Sequence, residues 1–415
     1  MNLVTHVQNF YHSHDPRGLV ESYGSPVYIY NERIFRLRCQ EMKSLCAYPN
    51  FRVNYAAKTN TNLTLLKIAH EEGLCIDVSS AGEVVAAETA GFPAEKIMFI
   101  VNNVSADELM FAIDRGLTVS VDSLSQLETF GRINPGGEIC LRFNAGVGGG
   151  HHQKVVTGGD GTKFGIVTEY IPQVKELLAK HDLKLVGINH HVGSLVHEDL
   201  YLKGVAAILD VARQFNELEF IDLGGGFATP YRKQEGEKPI DLQKTGQKLD
   251  EYMHDFAKSY GKDLTFIIEP GRFITAECGV LLGTVNVLKD CGKSRYAGTD
   301  IGFSVFPRPT LYDSHHDIEI YRENNATLGT DVDTINIVGN QCESGDYVAR
   351  QRVLPKLQEG DVLGMLDSGA YCYSLSSQYN HRQRPAEVLI QTDGTLKLIR
   401  KRDTFEDIIQ NMVGI

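Results

Sequence analysis

Between residues 53 and 268 the sequence alternates eight short, β-branched runs with seven longer stretches whose apolar residues recur at helical spacing. Strands are predicted at 53–57, 74–78, 96–101, 117–121, 138–143, 184–190, 220–223 and 264–268. Helices are predicted at 62–72, 81–90, 106–115, 123–130, 169–180, 200–215 and 242–260. So regular an alternation leaves few topologies. Strands separated by single helices run parallel through right-handed crossovers, and eight of them predict a (β/α)8, TIM-like barrel. Within 200–215, Leu200, Leu202, Val205, Ile208, Leu209 and Val211 fall mostly on one stripe, which is the pattern of core packing.

Past Cys278 the rhythm changes. Runs at 280–288, 318–321, 335–338, 362–366 and 386–399 read as strands with few helices between them, and Asp393-Gly394 in the last is a hairpin turn signal. The expected organisation is an α/β barrel at 33–275 followed by an all-β C-terminal domain at 276–415, an antiparallel sandwich or barrel. A strand at 27–30 precedes the barrel series, so segment 1–32 is expected to pack with the β domain. The length of 415 residues suits two domains.

A net charge of -12 without any basic stripe argues against nucleic acid or an anionic membrane as partner. No run reaches the roughly 18 apolar residues of a membrane span, and residues 1–17 lack the apolar core of a signal peptide. The expected compartment is the cytoplasm. Cysteines 39, 46, 75, 140, 278, 291, 342 and 372 show no close metal-type pairing and are expected to be reduced thiols.

Several predicted strands end in residues with chemistry to offer: Lys58 the first, Asn144 the fifth, His191 the sixth, Gly224 to Gly226 the seventh, and Glu269 with Arg272 the eighth. In a (β/α)8 barrel these ends share one face, with the phosphate site in the loops after strands seven and eight. A lysine at a strand tip is usually a surface residue. Partly buried there, it would lose basicity and become available to condense with an aldehyde. Glu269 follows three apolar residues, Phe266, Ile267 and Ile268, and a buried carboxyl there could hold a proton on a pyridine nitrogen. Gly224 to Gly226 fit either a tight turn or a backbone cradle for phosphate. Together the amine, cradle, carboxyl and arginine point to pyridoxal 5'-phosphate. His191 could be a structural histidine or a ring stacked on the cofactor, with the Ser194 hydroxyl reaching phosphate. Paired histidines at 151/152, 190/191 and 315/316 carry no accompanying carboxylate spacing, so no metal site is expected.

Further motifs follow in order: 144–150 with the loop 153–165, Glu269-Pro270-Gly271-Arg272, Arg308-Pro309 with Tyr312, Cys342-Glu343-Ser344-Gly345-Asp346, and Asp367-Ser368-Gly369-Ala370-Tyr371, then 384–388 and 400–407. Over nearly its whole length the chain resembles the fold-type III pyridoxal-phosphate decarboxylases, and within them the branch acting on meso-2,6-diaminopimelate. The resemblance implies Lys58 as the amine that takes the cofactor aldehyde, His191 stacked on the ring and Glu269 at the pyridine nitrogen. It implies Ser194, Gly225, Gly226 and Tyr371 around the phosphate, with Gly271 and Arg272 also beside the cofactor. Arg272, Arg308, Tyr312 and Tyr371 would bind substrate, the first three at its distal carboxylate, and Glu343 its distal ammonium. Cys342 would be the acid near Cα, on a loop supplied by the partner subunit of a homodimer with a composite site. The implied reaction is decarboxylation of meso-2,6-diaminopimelate to L-lysine and CO2, the last step of lysine biosynthesis. The alternative is a lysine/ornithine-type basic amino acid decarboxylase of the same fold, which has no need of Arg308 and Tyr312. Asn189, Asn340-Gln341 and 380–383 depart from the family pattern, which bears on fine substrate preference.

Overall fold

The structure, a computed structural model, describes residues 3–150, 152–323 and 330–414. His151, one of the paired histidines, lies outside the described residues. The chain forms two compact units. One comprises Met1–Phe35, Pro230–Lys238 and Thr275–Ile415, the other Arg36–Thr229 and Pro239–Ile274.

Strand β1 (Val27–Asn31) belongs to the first unit. The second holds β2 (Phe51–Ala56), β3 (Cys75–Val78), β4 (Ile97–Ile100), β5 (Thr118–Val121), β6 (Glu138–Asn144), β7 (Lys184–Asn189), β8 (Phe220–Asp222) and β9 (Thr265–Ile268). Each pairs in parallel with the next, and β9 returns to β2 with Phe266 opposite Phe51, so the eight-stranded barrel is closed. Met98, Ile100, Cys140, Val186, Phe220 and Ile267 fill part of its interior, each large apolar side chain contributing about 1.5–3 kcal/mol on burial.

The helices begin just past the strand ends because the sequence supplies an N-cap there. Asn62, Ser80, Ser105 and Ser123 accept from the backbone N–H of Thr64, Glu83, Glu108 and Gln126. Each cap contributes about 1 kcal/mol and turns the chain directly behind the strand tip, leaving the intervening residues on the rim. The long helix Leu242–Tyr260 is capped by Asp241 and ends at Gly261 with φ 77°.

The first unit adds β10 (Gly279–Cys291), β11 (Ser294–Thr299), β12 (Ile318–Tyr321), β13 (Val332–Val338), β14 (Tyr347–Pro355), β15 (Val362–Met365), β16 (Ala386–Ile390) and β17 (Leu396–Arg400). Its sheet runs β14-β13-β11-β10-β1-β16-β17, with β15 joining β10 to β12. Most pairs are antiparallel, but β1 with β16 and β11 with β13 are parallel. Fully buried β1 lies between β10 and β16. The run 386–399 is the expected hairpin, with Gly394 N bonded to Gln391 O at 2.9 Å.

Elements beyond the sequence reading are the polar ones. β11 and β14 carry arginines on half-exposed faces. The helix Glu32–Lys43 buries Ile34, Phe35, Cys39 and Met42 among six charged side chains, Glu32, Arg33, Arg36, Arg38, Glu41 and Lys43. Pro16–Tyr23, started by an Asp15 cap and Pro16, is a second.

Candidate active site

On the barrel rim, β2 runs into a short 3-10 turn, Ala57–Thr59, that carries Lys58. Its Nζ lies 3.3 Å from Oδ2 of Asp77, at the end of β3. Lys58 is 41 % exposed while Asp77 is 2 % exposed. Lys58 is therefore exposed where partial burial was expected, and the buried member of the pair is the carboxyl. Burial pushes Asp77 up to about 8, against the pull of Lys58.

His191 follows β7, and its Nδ1 accepts the Gly225 N–H at 3.1 Å. Glu269 Oε2 is 3.8 Å from the same nitrogen, but an atom that accepts an N–H carries no proton, so this is no ion pair. Burial, reinforced by the Lys58 and Arg142 charges, pushes the imidazole well below its ordinary range. A neutral ring results.

Glu269 follows β9 and Asp222 ends β8, and both are buried. Asp222 Oδ1 accepts the Gly224 N–H at 2.8 Å. Asp222 Oδ2 and Glu269 Oε1 receive no N–H or O–H donor from other described residues. The hydrogen bond between the two carboxyls exists only when one keeps its proton. Burial pushes Glu269 well up, with the Asp222 charge adding to it. Asp222 rises to about 7 by burial, and its bond to Glu269 pulls it back. The proton therefore rests on Glu269.

The phosphate end is equally constrained. Arg272 donates through Nε at 3.1 Å and Nη2 at 2.9 Å to Ser194 Oγ, gathering two donor groups. A Cβ on Gly225 would lie 2.2 Å from the Glu269 carbonyl oxygen, and Gly226 has φ +114°. Only glycine leaves this backbone so close to its neighbours. Gly271 is pressed against Thr59, and Ala56 N donates to Pro270 O at 3.4 Å, which ties the loop after β9 to the lysine turn. A buried carboxyl that keeps its proton, an amine, a neutral ring and a glycine cradle beside an arginine and a hydroxyl fit pyridoxal 5'-phosphate.

In the other unit, Arg308 begins the short helix Arg308–Tyr312 and is 1 % exposed. Its guanidinium carbon sits 4.5 Å from the Tyr231 ring centroid, and Nη1 is 2.7 Å from His316 Nε2. Lys233, on the same segment as Tyr231, is held by Glu277 at 2.7 Å and Asp367 at 2.5 Å. Asp367 and Tyr371 bound the Asp-Ser-Gly-Ala-Tyr motif, with φ 56° and 58°. Cys342 and Glu343 are exposed, and Cys342 Sγ accepts from Asn380 Nδ2 at 3.3 Å. Tyr379 donates to Glu343.

Lys58, His191, Ser194, Gly225, Gly226, Glu269, Gly271 and Arg272 thus gather on the barrel unit, and Arg308, Tyr312, Cys342, Glu343 and Tyr371 belong to the other. Sequence reasoning missed Asp77, Arg142, Asp222 and Tyr231. An acid ending an otherwise apolar strand was the available signal for the two aspartates. Among the described residues no cluster of three His, Cys, Asp or Glu could hold a metal, none of the eight cysteines forms a disulfide, and no helix is long and apolar enough to cross a membrane.

Residues 33–276 match the family of the pyridoxal-dependent decarboxylase, pyridoxal binding domain. The chain is 38% identical over 402 residues to the diaminopimelate decarboxylase of Methanothermobacter thermautotrophicus, covering 94% of this chain and 92% of that protein. A crystal structure of diaminopimelate decarboxylase superposes with a TM-score of 0.88 at 31% identity, covering 95% of each chain. The Helicobacter pylori diaminopimelate decarboxylase complexed with L-lysine gives 0.84 at 27% identity, over 95% of this chain and 98% of that one. By sequence and by fold, the chain belongs to the diaminopimelate decarboxylase family of pyridoxal-dependent decarboxylases.

Proposed function

We propose that the chain decarboxylates meso-2,6-diaminopimelate to L-lysine and CO2 with pyridoxal 5'-phosphate, as a cytoplasmic homodimer whose Cys342 loop completes the partner's site. The observation that carries this reading is the meeting on one barrel rim of an amine, a neutral imidazole, a protonated buried carboxyl and an arginine-serine anion pair. The cofactor, when bound, supplies an electron sink for the pair left on Cα as the bond to the carboxylate breaks.

The chain's own residues do the rest. Lys58 binds the cofactor aldehyde, and His191 presents a neutral ring face. Glu269 holds a proton at the pyridine nitrogen. Ser194, Tyr371, Arg272 and the amides of Gly225 and Gly226 hold the phosphate, with Gly271 letting the backbone approach. Arg308 and Tyr312, together with Arg272, receive the distal carboxylate, and Glu343 the distal ammonium. Cys342 returns a proton to Cα after CO2 leaves. Lysine has only one carboxylate, so placing it for a second reaction leaves buried Arg308 without its anion, a loss that can reject an analogue by about 10⁴.

Carbon dioxide release by cofactor-loaded protein, measured on meso-diaminopimelate beside L-lysine, L-ornithine and L-arginine, tests the proposal. Release from diaminopimelate alone is the expected result. Release from the monocarboxylates in its place overturns it.

A further inference from the structure

The geometry around Arg308 goes one step deeper than its assignment to the distal carboxylate, on which it rests. His316 Nδ1 lies 2.6 Å from the Leu366 carbonyl oxygen, which can only accept, so Nδ1 carries the ring proton. The other nitrogen, Nε2, is then a bare lone pair and accepts from Arg308 Nη1 at 2.7 Å. The tautomer is set by the backbone, and the ring plane is held between Tyr231 and Phe306, whose rings meet it edge-on at 5.0 and 4.7 Å.

This arrangement decides how the guanidinium faces. Nη1 is committed to His316, and the plane rests on Tyr231. What remains is the Nε–Nη2 edge, the pair of parallel N–H groups that grips a carboxylate in two-point fashion. Nε of Arg308 is buried with no hydrogen-bond partner among the described residues, as a donor kept for a ligand would be. We infer that His316 is the positioning residue that selects which edge of Arg308 meets the distal carboxylate, and that it thereby sets the preference for a substrate with two carboxylates over one with a single carboxylate.

His316→Phe and His316→Gln separate this role from packing. Both lose the bond to Leu366. Phe keeps the ring shape without an acceptor, whereas Gln places an amide oxygen near the former Nε2. Loss of a hydrogen bond to a charged group should raise KM for diaminopimelate roughly tenfold or more in His316→Phe, with kcat within about threefold. His316→Gln should recover most of that KM, and activity on a monocarboxylate should respond to neither change. If packing alone matters, the order reverses: Phe is the milder variant, and losses on the two substrate classes are equal. That result overturns the inference. Arg308→Ala isolates the underlying assignment. If it leaves KM for diaminopimelate unchanged, the carboxylate reading fails. If it raises KM while His316→Phe does not, only the positioning role fails.

Discussion

Gly225→Ala isolates the glycine cradle. The φ of Gly225 lies outside the left-handed region, so alanine is permitted by the backbone and the effect is purely steric. The added Cβ would stand 2.2 Å from the carbonyl oxygen of Glu269 and 3.4 Å from His191 Cε1. An ordinary contact with a carbonyl oxygen needs about 3.2 Å, so the loops after β8 and β9 must part by roughly 1 Å, which costs about 1–3 kcal/mol as overpacking. The parting also strains the 3.1 Å bond from Gly225 N to His191 Nδ1 and shifts the Glu269 backbone. Both ends of the cofactor site move. Cofactor affinity, read by absorbance titration, should fall about 5- to 150-fold, with a lower unfolding midpoint in denaturant. Gly82→Ala is the control: it lies in the helix Ala81–Thr89, where the nearest atom to a new Cβ is 3.8 Å away. It should stabilise by up to about 1 kcal/mol and leave cofactor binding alone. Unchanged affinity and stability in Gly225→Ala would refute the close approach of the two loops.

Glu269→Gln removes the proton-holding carboxyl and should lower turnover roughly a hundredfold, about 3 kcal/mol; unchanged turnover takes Glu269 out of the reaction. Lys58→Ala should abolish the visible absorbance of bound cofactor, and a normal spectrum would remove Lys58 from its role. In the cofactor-free protein, buried Asp222 and Asp77 titrate near 7 and 8 rather than near 3.9 as in the unfolded chain. The folded state then holds protons that the unfolded state releases, so the contribution of these two groups to stability is greatest at low pH. Stability should fall as pH rises from about 6.5 to 8, above the range in which buried, neutral His190 and His191 act in the opposite sense, by up to about 1.4 kcal/mol per unit for each group. Denaturant midpoints that climb over that range would contradict the protonated carboxyls.

The barrel was legible because its signals are local. A β-branched run, a capping serine or asparagine and a stripe at helical spacing each act within a few residues. Every barrel strand therefore lies within a few residues of its reading, and the helix Leu242–Tyr260 agrees to the residue. The rim chemistry was legible for the same reason: when strands alternate with helices, a residue that ends a strand is already assigned to one face. Fully buried β1 was legible as an element, but its place between β10 and β16 depends on partners far along the chain.

Tertiary structure decided what surrounds each of these groups. Lys58 reads as a partly buried amine in sequence, whereas Asp77 on the neighbouring strand takes the burial and leaves the amine exposed. Glu269 keeps its proton because Asp222, from the adjacent strand, shares its desolvated corner. Arg308 shows only a cation in sequence, and its usable edge is chosen by His316, Tyr231 and a backbone carbonyl at Leu366. Identity and position along a strand follow from short-range sterics and periodicity. Protonation state and donor direction follow from desolvation and the few ångströms around each atom, and those distances exist only once the chain has closed on itself.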